Sequence, residues 1–144
     1  MTAPSLRPAL SAREFGLLVL SCVVLPCVDV GVRTIGIERT RSALAAVTRW
    51  ASAQPSSVPI ANYARSAAKM VAIAATRSPW RVSCLRRALW FEALMRRRGI
   101  PCEIHFGVAG AATRGQLRAH AWVVVEGEVM LGGESSPTEY SALR

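Results

Sequence analysis

Ser83-Cys-Leu-Arg-Arg-Ala-Leu-Trp-Phe-Glu-Ala-Leu-Met-Arg-Arg-Arg-Gly99 is the stretch on which the reading of this chain turns. Its spacing predicts a helix over 83–98. Ser83 suits an N-cap, and Leu85, Ala88, Leu89 and Met95 fall on one core-facing stripe. Arg96, Arg97 and Arg98 oppose the negative end of the helix dipole, and Gly99 supplies a left-handed stop. Cys84 then lies in the first turn, where unpaired backbone N–H groups and the dipole favour an anion. Arg81, Arg86 and Arg87 add positive charge nearby, which favours the thiolate, the nucleophilic form. A buried structural cysteine fits the same position, and this stretch alone does not separate the two.

Upstream, the chain reads as helices. A helix over 11–25 opens with the capping box Ser11-Ala-Arg-Glu14 and is closed or kinked by Pro26. Gly31 and Gly36 punctuate the next stretch. A second helix fits 38–53, with Leu44, Val47 and Ala51 on one stripe. A third begins near Pro59 and carries Ala64, Ala67, Ala68, Val71, Ala72 and Ala75 at helical spacing. Downstream of Pro101 the periodicity changes. Residues 102–108 and 117–125 read as strands around a Gly/Ala-rich loop, and 123–131 as a hairpin turning at Glu126-Gly127. Helices followed by a small antiparallel sheet argue an α+β fold. The expectation is one domain over 1–144, with a helical part at 10–78, a catalytic core at 79–134 and an irregular tail at 135–144.

Composition narrows the setting. Hydrophobic residues make up 51% of the 144 and charged ones 19%, so the chain is globular rather than disordered. Eighteen basic residues face nine acidic ones, a net charge of +9 that suits an acidic partner or simply a solvated face. Lys69 is the sole lysine. Arginines are not interleaved with aromatics in a recognisable nucleic-acid motif, so no nucleic-acid partner is expected. The four cysteines have no C-x-x-C spacing, and no metal or other cofactor is implied. Cys22 and Cys27 read as small core hydrophobes in a reducing, cytoplasmic compartment. The apolar run 15–28 is shorter than the roughly 20 residues that span a bilayer. It reads as a buried helix, with membrane or export targeting the lesser alternative.

A base for Cys84 needs only to be near it in space. His120, in Ala119-His-Ala-Trp-Val123, qualifies if its strand packs against the start of the cysteine helix; a satisfied core histidine is the plainer reading. His105, beside Ile104 and Phe106, competes. A two-residue turn pairs Val125 with Glu128 and brings His120 opposite Gly133. A one-residue bulge would bring Glu134 there instead. Glu134 is therefore the candidate orienting carboxylate, ahead of Glu139 and Ser135. The chain's single aspartate, Asp29, lies in the helical half and is a poor candidate.

Cys84-Leu-Arg-Arg-Ala88, Leu94-Met-Arg-Arg-Arg-Gly-Ile100, Phe106-Gly-Val108 and the Ala119–Val123 box together resemble the lasso peptide leader peptidases, the transglutaminase-like B proteins of lasso peptide biosynthesis. The likeness covers roughly 80–133. It implies a transglutaminase-like, papain-like fold with a Cys-His-Asp triad, Cys84 and His120 taking the first two places. The implied activity is cleavage of the leader from a ribosomally made precursor peptide. A separate leader-recognition protein and an ATP-dependent cyclase are the implied partners. Two departures stand out: Val124 occupies a position usually held by glutamate, and Gly132 and Gly133 fill the stretch where the third-residue aspartate is expected. Transglutaminase-like acyl transfer and a non-catalytic basic scaffold remain as alternatives.

Overall fold

The first apolar run does not stop at its proline. In the computed structural model, which describes residues 9–50, 57–110, 117–133 and 141–142, helix α1 (Ala12–Thr34) passes through Pro26. Ser11 and Glu14 form the expected capping box, Glu14 N–H donating to Ser11 Oγ at 3.2 Å and Ser11 N–H to Glu14 Oε2 at 2.9 Å. A mid-helix proline removes one backbone hydrogen bond and costs about 3 kcal/mol. Packing beyond it offsets that cost: Leu25 and Val28 are each 1% exposed, and Asp29 is buried in an ion pair.

Gly36, at φ +86°, turns the chain into α2 (Ile37–Trp50). Gly31 lies inside α1, where an added Cβ would sit 2.9 Å from Thr40 Oγ1, so its bareness lets α2 approach closely. Val47, expected on the core stripe of α2, is 68% exposed, whereas Leu44 packs against the core. Ala51, expected on the same stripe, lies outside the described residues. Helix α3 (Ile60–Arg77) starts after Pro59 and buries Ala64, Ala67, Ala68 and Val71 as its spacing predicts.

Helix α4 (Cys84–Arg97) is the hub of the molecule. The sequence shows one apolar stripe, yet Ala88 through Met95 are all buried, because α1, α2, α3 and the sheet pack around the helix. Two of its polar groups are satisfied by other helices. Trp90 Nε1 donates to the buried Ser21 Oγ of α1 at 2.9 Å. Glu92 meets Arg41 of α2 at 2.6 Å and Arg96 at 2.9 Å.

Burial by itself pushes the Glu92 carboxyl up, but Arg41 and Arg96 outweigh it and hold the group below its ordinary value of 4.5. The folded value is the lower one, so the stabilisation is complete above the unfolded value and is lost as pH falls through the folded value. Thermal melts should therefore show wild-type stability falling as pH drops below about 4.5. Glu92→Gln should be less stable at pH 7 by about 1.5–3 kcal/mol, the range for hydrogen bonds to charged groups. It should also show a shallower acid slope.

Beyond Gly99 the chain forms β1 (Glu103–Gly110), β2 (Leu117–Val125), β3 (Glu128–Leu131) and β4 (Ser141–Ala142). The sheet is antiparallel, ordered β3-β2-β1-β4. Glu126 and Gly127, at φ +50° and +80°, make the tight turn expected between β2 and β3. β4 corrects the expected irregular tail: Ser141 and Ala142 pair with Val108 and Gly107. The α+β architecture of helices followed by a small antiparallel sheet is the one expected.

Cys22 and Cys27 are a correction too. Both are exposed on the outward face of α1, with Phe15 (59%), Val19 (47%), Val23 (62%) and Val30 (58%). Leu18, Ser21, Leu25, Val28 and Asp29 take the inward face, and a helix apolar on all sides leaves the remainder in water. By length and composition alone, α1 would also be able to cross a membrane.

Candidate active site

Cys84 is the first residue of α4 and is half-buried, packed against the margin of the core. Arg87 N–H makes the first helical bond, to Ser83 O at 3.2 Å. The amides of Cys84, Leu85 and Arg86 therefore precede the intrahelical ladder. Ser83 has the extended backbone of an N-cap (φ −68°, ψ 160°), yet its hydroxyl does not bond these amides. It accepts instead from Arg86 Nη1 at 3.2 Å. A cleft of about 490 Å³ opens at the start of the helix, lined by Ser78, Pro79, Trp80, Arg81, Val82 and Arg87 among others.

Cys102, the other cysteine in the second half of the chain, is held as a thiol. Burial, and then the nearby Glu92 carboxylate, push the Cys102 thiol up to about 11, so it stays protonated at neutral pH.

His120 lies on β2, the strand against which α4 packs. Its Nε2 is 2.6 Å from Gly132 O. A carbonyl only accepts, so Nε2 carries the proton, and in the neutral ring the lone pair resides on Nδ1. The ring also stacks on Trp122, centroids 6.2 Å apart, while His105 stacks on the same indole at 6.0 Å. His105 Nε2 meets the exposed Glu103 carboxylate at 3.2 Å. Gly107 stands opposite His120 in the register.

Ala121, Val123 and Val125 point into the core, so strand alternation puts His120 and Trp122 on the other sheet face. The structure thus brings together the two elements that carry Cys84 and His120. It places the ring on the face of β2 opposite that strand's core contacts.

The bulge on which Glu134 depended is present: Val124 pairs with Val129 and Val123 with Leu131. Glu134 itself lies outside the described residues, as do Ser135 and Glu139. A glycine side chain cannot orient an imidazole, but the Gly132 carbonyl does take part in holding this one. Gly132 has φ +83°, a left-handed backbone that favours glycine, and an added Cβ would meet Ala121 O at 2.7 Å. The paired glycines at 132–133, where an aspartate was expected, were the available signal.

Asp29 also has a place that sequence reasoning missed. It is buried against Arg86, two residues after Cys84, with Nε and Oδ1 2.5 Å apart.

No curated protein and no solved structure matches the chain. A family model described as the transglutaminase-like superfamily matches residues 24–144, from the middle of α1 onward. That superfamily's general chemistry is cysteine-dependent proteolysis or acyl transfer. With the match covering most of its length, the chain belongs to the transglutaminase-like superfamily.

Proposed function

We propose that this chain is a cytoplasmic cysteine peptidase that removes the leader from a lasso precursor peptide. It would work with a separate leader-recognition protein and ahead of an ATP-dependent cyclase. One observation supports the catalytic part of this reading: Cys84 begins a helix that packs on β2, the strand that carries His120, in a chain of the transglutaminase-like superfamily. The choice of substrate rests on the sequence resemblance.

In the proposed reaction, His120 Nδ1 takes the thiol proton and Cys84 Sγ attacks the scissile carbonyl. The carbonyl oxygen becomes an oxyanion facing the first-turn amides of α4, the Cys84 N–H among them. Collapse breaks the C–N bond, and the imidazolium gives its proton to the leaving core-peptide amine. Water, deprotonated by His120, then splits the thioester and frees the leader as a carboxylate. The ring projects from the face of β2 opposite that strand's core contacts, so the first step requires it to swing to within hydrogen-bond reach of Sγ. The Gly132 carbonyl steadies Nε2–H meanwhile, and Glu134 is retained as the carboxylate proposed to assist.

Mass spectrometry of a leader–core peptide incubated with the chain and its recognition partner tests this. The expected products are a leader ending in a free carboxylate and a core with a free amine. A leader joined through an amide to an added amine, with no hydrolysed leader, would instead support acyl transfer.

A further inference from the structure

Ser83 is an N-cap whose hydroxyl is turned away from its helix. Its backbone has the capping conformation, but Oγ is held by Arg86 Nη1 at 3.2 Å rather than by a first-turn amide. Arg86 is itself held from behind. Its side chain is 17% exposed and faces the Asp29 carboxylate, 9% exposed, across the α1–α4 contact. Arg33 reaches the second oxygen of the same carboxylate at 2.9 Å from the solvent side.

An arginine in the first turn of a helix opposes the dipole there. The buried aspartate makes that position tolerable. Burying the chain's one aspartate is costly unless it is paired; Asp29 makes two ion pairs, the one to Arg86 by proximity of charge, without a hydrogen bond between Oδ1 and Nε.

We infer that Asp29 and Arg86 form a positioning relay that withholds the Ser83 cap, keeping the first-turn amides of α4 available to the oxyanion. The inference rests on the proposed reaction at Cys84. A capping serine would accept from the amide of the second or third helical residue, here Leu85 or Arg86. Those amides flank the Cys84 N–H, where charge develops on the substrate. A hydroxyl placed there would compete with the oxyanion for donors and crowd the scissile carbonyl. Arg86 removes it, and Asp29 fixes Arg86 in the orientation that does so. Neither touches substrate, so both are positioning residues.

The test is epistasis between the relay and the cap. Arg86→Gln should lower kcat by about 10- to 100-fold, at or below the lower end of the roughly 10²–10³-fold loss seen when an oxyanion donor is removed outright, with KM little changed. Adding Ser83→Ala to Arg86→Gln should recover about tenfold of that kcat, because the competing hydroxyl is gone. A purely structural Arg86 would show no such recovery.

Arg86→Lys keeps a charge opposite Asp29 but lacks the two-pronged guanidinium. It replaces Arg86→Gln if circular dichroism shows that variant unfolded, and the same loss and recovery are expected. An unchanged kcat in the arginine variant, or a double variant no faster than the single one, overturns the inference. Cys84→Ala in the same assay reports on the parent reading: if leader release survives it, the reaction at Cys84 is wrong. If release is lost but Ser83→Ala gives no recovery, the relay alone is wrong.

Discussion

Cys84→Ala is expected to abolish leader release, lowering kcat by at least ~10⁴-fold, because a lost nucleophile removes the covalent route altogether. Stability should hardly change. The side chain is half-buried at the first position of a helix, and alanine is a good helix former, so the cost should be within about 1 kcal/mol.

His120→Ala should fall nearly as far, and the double variant no further than the worse single one. Residues acting as one unit give non-additive losses. Release rates for the three variants, with precursor and recognition partner saturating, decide the matter. Independent, multiplying losses would mean that Cys84 and His120 do not work as a pair. An active Cys84→Ala would remove the peptidase reading entirely.

The second large effect is at Gly132. Valine there would adopt a left-handed backbone at φ +83° and drive its Cβ toward Ala121 O and the Trp122 backbone. The left-handed conformation costs roughly 1–2 kcal/mol and overpacking roughly 1–3 kcal/mol, so Gly132→Val should lose about 3 kcal/mol. Thermal unfolding should shift down by about 10 °C for a chain of this size. Activity should fall further than the folded fraction does, by ~10²-fold, because the carbonyl that holds His120 moves.

Gly99→Ala is the control. It has φ +67° but nothing within 4 Å of the added Cβ, so it carries the backbone penalty alone. Its melting point should drop by only a few degrees and its turnover per folded molecule should hold. Equal losses at both glycines would remove the special role given to Gly132.

Much of this could be read from residue order. Turn glycines, caps and the switch from helical to alternating periodicity are local signals, and they located α3, α4 and the β2–β3 hairpin to within a residue or two. The register of the hairpin and its conditional bulge came from counting.

What escaped were outcomes set by neighbours. Pro26 looked like a helix end because local propensity disfavours it, whereas burial of Leu25, Val28 and Asp29 carries α1 through. The stripe on α4 understated its burial because partners on every side cannot be seen from one helix. β4 is two residues long and acquires meaning only from β1 beside it. At the site, side-chain chemistry pointed to Cys84 and His120. The Gly132 carbonyl went unnoticed because a backbone group has no letter of its own. Asp29, set aside as a partner for His120 because it lies in the helical half, pairs instead with Arg86, a contact that only the packing of α1 on α4 creates.

The outward face of α1 bears on how the protein must be handled. Cys22 and Cys27 sit exposed there, five residues apart, and the ~7.5 Å of axial rise between them is too long for a bridge within one helix. Under oxidising conditions their route is between molecules, at apolar patches that already favour contact. A preparation without reductant would accumulate covalent dimers whose cross-links have nothing to do with Cys84. Thiol-reactive inhibitors would likewise be consumed at α1, so stoichiometric titration of the nucleophile calls for a background in which both are serine.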